Sequence, residues 1–431
     1  MKSINVLLRL MLDRFRNLFR GALLLSLMLL GGVGLVFSGT HAAEISFVVP
    51  SNVTASLSVR YEEIVRDFNQ AHPNHKVSFL PRSSYNQVLD IMLKKEIQGI
   101  FAAEVAELYT LQDAGAIAAI DNFIGDEVEW NEYLESFVPA FLANSRDDHG
   151  RLFALPLYRS TPIIYYNLDM LKAAGLDTNH RPKTWLELTD TLIALRDHFK
   201  RPPLALPGVW REWIFESFVQ QNNSTLSSSR TQLNFDNPRT VEALERWVDW
   251  NEQGLVLLPK NWRDGIHGFL REVFPITYYS TAGMGLAREE ANFDWVTDVM
   301  PGNPDPGAVV GGANLFLSSG MDSDQDQLAK ELLRHLLVPE NQAKISAVSG
   351  YFPVVKSAFD LTILSDLYGR EPAYINARKQ LDYTHARIMV PRHKEIRVIF
   401  QQAIEDAFAG RSSAQEALTI AQEKASKLLA E

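Results

Sequence analysis

The chain has no cysteine among its 431 residues. That excludes disulfide staples, thiolate metal sites and attachment through a lipidated cysteine. Enzyme signatures are missing as well: there is no HExxH, no GxSxG, no P-loop and no GxGxxG following a strand. Histidine is sparse, with 10 residues. His72 and His75 fall in an HPNH stretch that reads as a solvated turn rather than a metal site, and the others are scattered. The carboxylate pairs Glu62-Glu63 and Glu289-Glu290 are sequence neighbours and read as wet helix faces. No repeat and no low-complexity tract interrupts the chain. Only one long apolar run occurs, and it lies close to the N-terminus.

That run extends from Gly21 to Phe37 and follows a basic stretch made by Lys2, Arg9, Arg14, Arg16 and Arg20. Small residues come next, ending at Ala42 and Ala43. This order predicts a secretory signal peptide over residues 1–43, cleaved after Ala42 or Ala43. The alternative is an uncleaved anchor, but the 17 apolar residues fall short of a bilayer span, roughly 20. An exported chain without a lipidated cysteine is expected in the periplasm of a two-membraned bacterium. The remaining 388 residues are too many for one comfortable core and suit two lobes. Removing 5 basic residues and Asp13 with the signal leaves 37 Lys+Arg against 51 Asp+Glu, net −14. An acidic balance speaks against nucleic acid or an anionic membrane as partner. It leaves an anionic small ligand open, because a closed pocket senses its own donors more than the distant field.

Strand and helix patterns alternate from Ile45 onward. Ile45–Val49 reads as a strand stopped by Pro50, and Tyr61, Ile64, Val65, Phe68 and Ala71 mark a helix ending before Pro73. Lys76–Leu80 reads as a strand and Tyr85–Ile97 as a helix. Strands follow at Leu152–Leu157 and Ile163–Tyr166, with Tyr158–Pro162 between them as a crossing between lobes. Thr184 and Glu187 form a capping box before the stripe Leu188, Leu192, Leu195, Phe199. Further helices are expected at Pro238–Gln253, at Leu328–Leu337 and after the capping box Ser413/Glu416. Phe293–Met300 and Ala308–Leu317 read as β-rich. The alternation indicates an α/β fold.

Polar and aromatic residues stand out where chemistry is otherwise absent. Ser160-Thr161-Pro162 precedes Ile-Ile-Tyr165-Tyr166-Asn167; Gly311-Gly312 interrupts an apolar strand; Gly350-Tyr351 precedes Phe352-Pro353. Each has a plain structural reading as a turn, a bulge or a core tyrosine. Arg397 fits a plain reading least well. A guanidinium between Ile396 and Val398-Ile399 must find a partner or reach water, and a phosphate would match its fork.

At Ser160–Asn167, Lys172-Ala-Ala-Gly-Leu176, Pro182-Lys-Thr-Trp185, Val309–Asn314, Gly350–Pro353 and Glu395–Ile399, the chain resembles the extracellular solute-binding proteins of ABC importers. Within them it is most similar to the sugar-and-polyol branch that takes glycerol phosphates. The likeness implies a two-lobed periplasmic-binding-protein fold of the maltose-binding type (type II), with a ligand cleft between the lobes. It implies lobes at 44–157 with 298–340 and at 158–297 with 341–431. It also implies a binding protein without catalysis or cofactor, acting as a monomer with a membrane permease. Carried over by motif, Tyr85, Ser160, Ser280, Gly312, Tyr351 and Arg397 would hold the ligand, with Trp185 covering a glycerol moiety. The chain departs from the family at Pro50-Ser51, where an aromatic and a histidine are usual. At the family's acidic position it has Val105, with Glu104 beside it and Glu107 one turn on. The expected ligand is therefore sn-glycerol-3-phosphate, a glycerol phosphodiester or another polyol or sugar phosphate. An unphosphorylated sugar, an exported phosphoesterase and a sensory partner in place of the permease are the alternatives.

Overall fold

The computed structural model describes residues 42–51 and 55–431. The expected signal segment, up to residue 41, lies outside them. No described helix is long and apolar enough to cross a membrane. Two sheets organise the chain. In the first, Glu44–Pro50 pairs in parallel with Lys76–Arg82 and with Gly99–Glu104. Gly311–Ser318 then runs antiparallel against Gly99–Glu104, Ile117–Ala118 and Ala154–Ser160. In the second, Val256–Leu257, Leu204–Ala205 and Ile276–Ser280 are parallel. Pro162–Asn167 lies antiparallel between Ile276–Ser280 and Trp295–Asp298.

The first sheet has the composition of a doubly covered sheet. Every residue of Gly99–Glu104 and of Ala154–Ser160 is buried, so these strands show no alternation of buried and exposed positions. Helix Ala55–Ala71 turns Tyr61, Ile64, Val65 and Phe68 toward one face, and helix Tyr85–Lys94 turns Val88, Leu89 and Met92 toward the other. The second lobe is built on aromatics. Trp247, Trp250, Phe215, Phe218 and Tyr278 pack together in fully buried positions, with Phe218 edge-on to Trp247, Trp250 and Tyr278. Each such side chain contributes roughly 1.5–3 kcal/mol through its removal from water.

Several local expectations acquire detail. Thr184 Oγ caps helix Trp185–Phe199 by accepting from the Glu187 amide. The Glu187 carboxylate accepts from Lys183 N–H rather than closing the box on Thr184. The Ser413/Glu416 box is complete. Pro339 occupies the first turn of helix Pro339–Ser349, where its missing N–H costs nothing. That helix packs against Ala55–Ala71, whereas Pro372–Lys379 packs against Trp295–Asp298. Helix Arg211–Gln221 had no sequence forecast, because it is buried nearly all round and lacks an amphipathic period.

The passage between sheets is the feature that positions the site. Strands Ala154–Ser160 and Pro162–Asn167 belong to different sheets and are separated only by Thr161. Register then places Gly311 opposite Ser160 in the first sheet and Ser280 opposite Pro162 in the second. Three polar or glycine-bearing segments distant in sequence thus meet at one junction.

Candidate functional site

A cavity of about 600 Å³ opens at this junction. Ser160, Ser280, Gly312, Tyr351, Tyr85 and Glu104 all line it. Gly312 holds φ +107°, and a Cβ there would stand 2.3 Å from Tyr158 O. Only glycine lets the two strands approach so closely. Ser280 Oγ accepts from the Ala282 amide at 3.1 Å, leaving its own O–H to donate elsewhere. Tyr85 and Tyr158 share a hydroxyl–hydroxyl bond of 2.9 Å, and the Tyr158 ring packs 4.4 Å from that of Tyr351. Burial, with Tyr158, Tyr351 and Glu104 nearby, pushes the Tyr85 hydroxyl well above its ordinary pKa, so it remains a neutral donor and acceptor.

Arg387 lines the cavity, together with Arg263 and Arg288. Arg397, the residue indicated by the sequence, sits behind it on helix His393–Phe408, outside the cavity lining. Its guanidinium lies 4.7 Å from the Trp210 ring centroid and its Nη1 3.4 Å from Glu212 Oε1. The apolar run that made Arg397 conspicuous is a helix in which Val398 is exposed and Ile396 buried. The charge therefore leaves the helix on a face with its own carboxylate partner. Trp185 is likewise placed elsewhere. Its ring stacks on Phe218 at 5.2 Å and its Nε1–H donates to Gln221 Oε1 at 2.7 Å, inside the second core. The aromatic walls are instead Trp210, Trp213 and Trp262, with Tyr279 stacked on Trp262 at 4.4 Å. The stretch Pro207-Gly208-Val-Trp210-Arg-Glu-Trp213 was the available signal: a turn followed by two closely spaced tryptophans.

Arg387 has only 2 % of its side chain exposed and is held from both sides. Asn144 accepts from the Arg387 amide and donates to its carbonyl, both at 3.0 Å. The guanidinium donates to Glu104 Oε1, with Glu216 at 3.6 Å and Glu212 at 3.9 Å. His393 Nδ1 lies 3.5 Å from Glu107 Oε1. The group thus gathers four carboxylates, two guanidinium groups and an imidazole under the cavity floor. Its members respond differently to burial. For Glu104, burial would raise the pKa, but Arg387, His393 and Arg397 outweigh it and hold the carboxyl below its usual range. For Glu216, burial dominates over Arg387 and pushes the carboxyl up to about 7. For Arg387, burial works against the charge, yet Glu104, Glu216, Glu212 and Glu107 raise its pKa above the ordinary value. Of the four carboxylates, only Glu104 reaches the cavity lining.

The arrangement suits recognition: hydroxyl groups, aromatic walls, the guanidinium groups of Arg263, Arg288 and Arg387 and the carboxylates of Glu104 and Glu289 line one cavity.

The chain is similar to known proteins over most of its length. The sn-glycerol-3-phosphate-binding periplasmic protein UgpB of Escherichia coli K12 is 26% identical over 423 residues, covering 92% of this chain and 95% of its own. Among solved structures, the cyclic alpha-maltosyl-1,6-maltose binding protein of Arthrobacter globiformis superposes with a TM-score of 0.78 at 20% identity, covering 90% of this chain and 99% of that one. UgpB of Mycobacterium tuberculosis, in complex with glycerophosphocholine, gives the same TM-score and identity, covering 90% and 98%. The fold is therefore the two-lobed, maltose-binding-type α/β architecture. The model of the family described as bacterial extracellular solute-binding protein matches residues 63–375, and the chain belongs to that family.

Proposed function

We propose that this protein is the exported, substrate-binding component of an ABC importer and that its solute is a glycerol phosphodiester or a related polyol phosphate. The observation that carries the reading is the convergence of Arg387 with Ser160, Ser280, Tyr351 and Gly312 on one cavity. A guanidinium fork with hydroxyl donors around it recognises a phosphate bidentately. Glu104, ionised beside Arg387, offers an acceptor to polyol hydroxyls. The carboxylates of Glu212 and Glu216 back the guanidinium from outside the cavity, so they fix its plane without meeting the ligand. The volume, about 600 Å³, exceeds what unsubstituted glycerol-3-phosphate would fill and supports a substituted ester. Glycerophosphocholine in the Mycobacterium tuberculosis relative is a ligand of this kind. The partner is a membrane permease that receives the solute from the closed lobes.

The stacked Trp262–Tyr279 wall favours a second reading, an unphosphorylated oligosaccharide lying on an aromatic platform. Calorimetric titration with glycerophosphocholine, glycerol-3-phosphate and maltose separates the two. Binding in the order phosphodiester, monoester, maltose is expected. Tight binding of maltose with none of either phosphate ester rejects the phosphate reading.

A further inference from the structure

The charged group beneath the cavity carries more acid than the proposed solute needs. Glu104, Glu107, Glu212 and Glu216 face Arg387 and Arg397, and all four carboxylates are buried. Glu107 has no guanidinium within ion-pair distance among the described residues and faces His393 Nδ1 at 3.5 Å. A buried carboxylate without a cation is costly, so this place calls for one.

Three of these side chains stand together. One ligand atom from each of Glu104, Glu107 and His393 lies within 4.8 Å of the other two. Glu107 Oε2 and His393 Nδ1 are buried atoms with no hydrogen-bond partner among the described residues. Glu107 and His393 are only 4% and 2% exposed. Orphaned acceptors at this depth are rare unless something occupies them. Glu104 accepts from Arg387, and a carboxylate orients well toward a metal when a second group holds one of its oxygens.

We propose that Glu104, Glu107 and His393 bind a divalent transition cation of the Zn²⁺ or Mn²⁺ class beneath the floor of the cleft. One imidazole and two carboxylates form a nitrogen–oxygen donor set that suits such ions. The cation would compensate the Glu107 carboxylate and make the cleft floor more receptive to an anionic ligand. The site itself stands independently of which solute the cleft takes.

The test is calorimetric titration of the chelator-stripped protein with ZnCl₂ and MnCl₂, with no organic ligand present. One equivalent of either ion should bind, and both His393→Gln and Glu107→Gln should weaken it at least tenfold while retaining the parent's circular dichroism. Binding of the same strength in both variants places the ion elsewhere and overturns the proposal, as does a parent that shows no saturable binding. Should a variant fail to fold, the Co²⁺ spectrum of the parent decides. An ordered nitrogen–oxygen site gives a visible d–d band distinct from the aqueous ion, and its absence overturns the proposal.

Discussion

Replacing Glu216 with glutamine tests the electrostatic reading of the cleft floor. Burial is the largest influence on this carboxyl and lifts its pKa from 4.5 to about 7, against the pull of Arg387 and the Ile388 amide. The folded protein therefore retains a proton between these values that the unfolded chain has released. Linkage gives the sign: the stabilising contribution is complete below about 4.5 and is lost as pH rises through about 7. Over the 2.5 units between 4.5 and 7 the loss is on the order of 3 kcal/mol. Glutamine mimics the protonated acid and keeps an oxygen for the Ile388 N–H, which donates to Glu216 Oε1 at 2.5 Å. Urea unfolding of parent and Glu216→Gln, at several pH values from 5 to 8 with chelator present, reads the difference. The variant should match the parent near pH 5 and exceed it by a few kcal/mol at pH 8. A difference that stays constant across the range refutes the argument. Glu104 works the other way: its lowered carboxyl stabilises the fold above its unfolded value and ceases to do so as pH falls through its folded one.

Arg387→Lys should weaken phosphate-ester binding by roughly 2–5 kcal/mol, because lysine keeps the charge but not the fork between Glu104 and Glu216. Arg397→Ala, measured in the same titration, should cost less affinity than Arg387→Lys, since Arg397 lies outside the cavity lining and pairs with Glu212 beside the Trp210 ring. Trp185→Phe should leave affinity unchanged and lower stability by about 1–3 kcal/mol in denaturant titration, because it strands Gln221 Oε1. Gly312→Ala should lower the melting temperature and the affinity together, as its methyl group would meet Tyr158 O.

Much of the fold was legible because local rules agree with the tertiary structure. Glu44–Pro50 and Pro162–Asn167 are short apolar runs bounded by turn signals, and helices such as Pro238–Glu252 carry their own caps. Ser160, Ser280, Gly312, Tyr85, Glu104 and Tyr351 were reachable through motif resemblance, and the structure brings these six together at one cavity. Arg387 was not. It lies in an irregular stretch, and its orientation depends on Asn144, distant in sequence but bound to its backbone. Trp210 and Trp213 escaped notice for a related reason. They open a helix buried on every side, so no periodicity separates a cavity wall from ordinary core. Arg397 and Trp185 misled because each is conspicuous in sequence for a local reason that its own neighbours resolve. Arg397 is an ion pair set beside an aromatic ring, and Trp185 is the first residue of a capped helix.

The most direct measurement is a crystal structure of the protein with glycerophosphocholine. The account predicts the phosphate against Arg387 and the Ser160, Ser280 and Tyr351 hydroxyls, with glycerol oxygens toward Glu104. A phosphate lodged away from Arg387, or a ligand lying only on Trp262 and Tyr279, would contradict it.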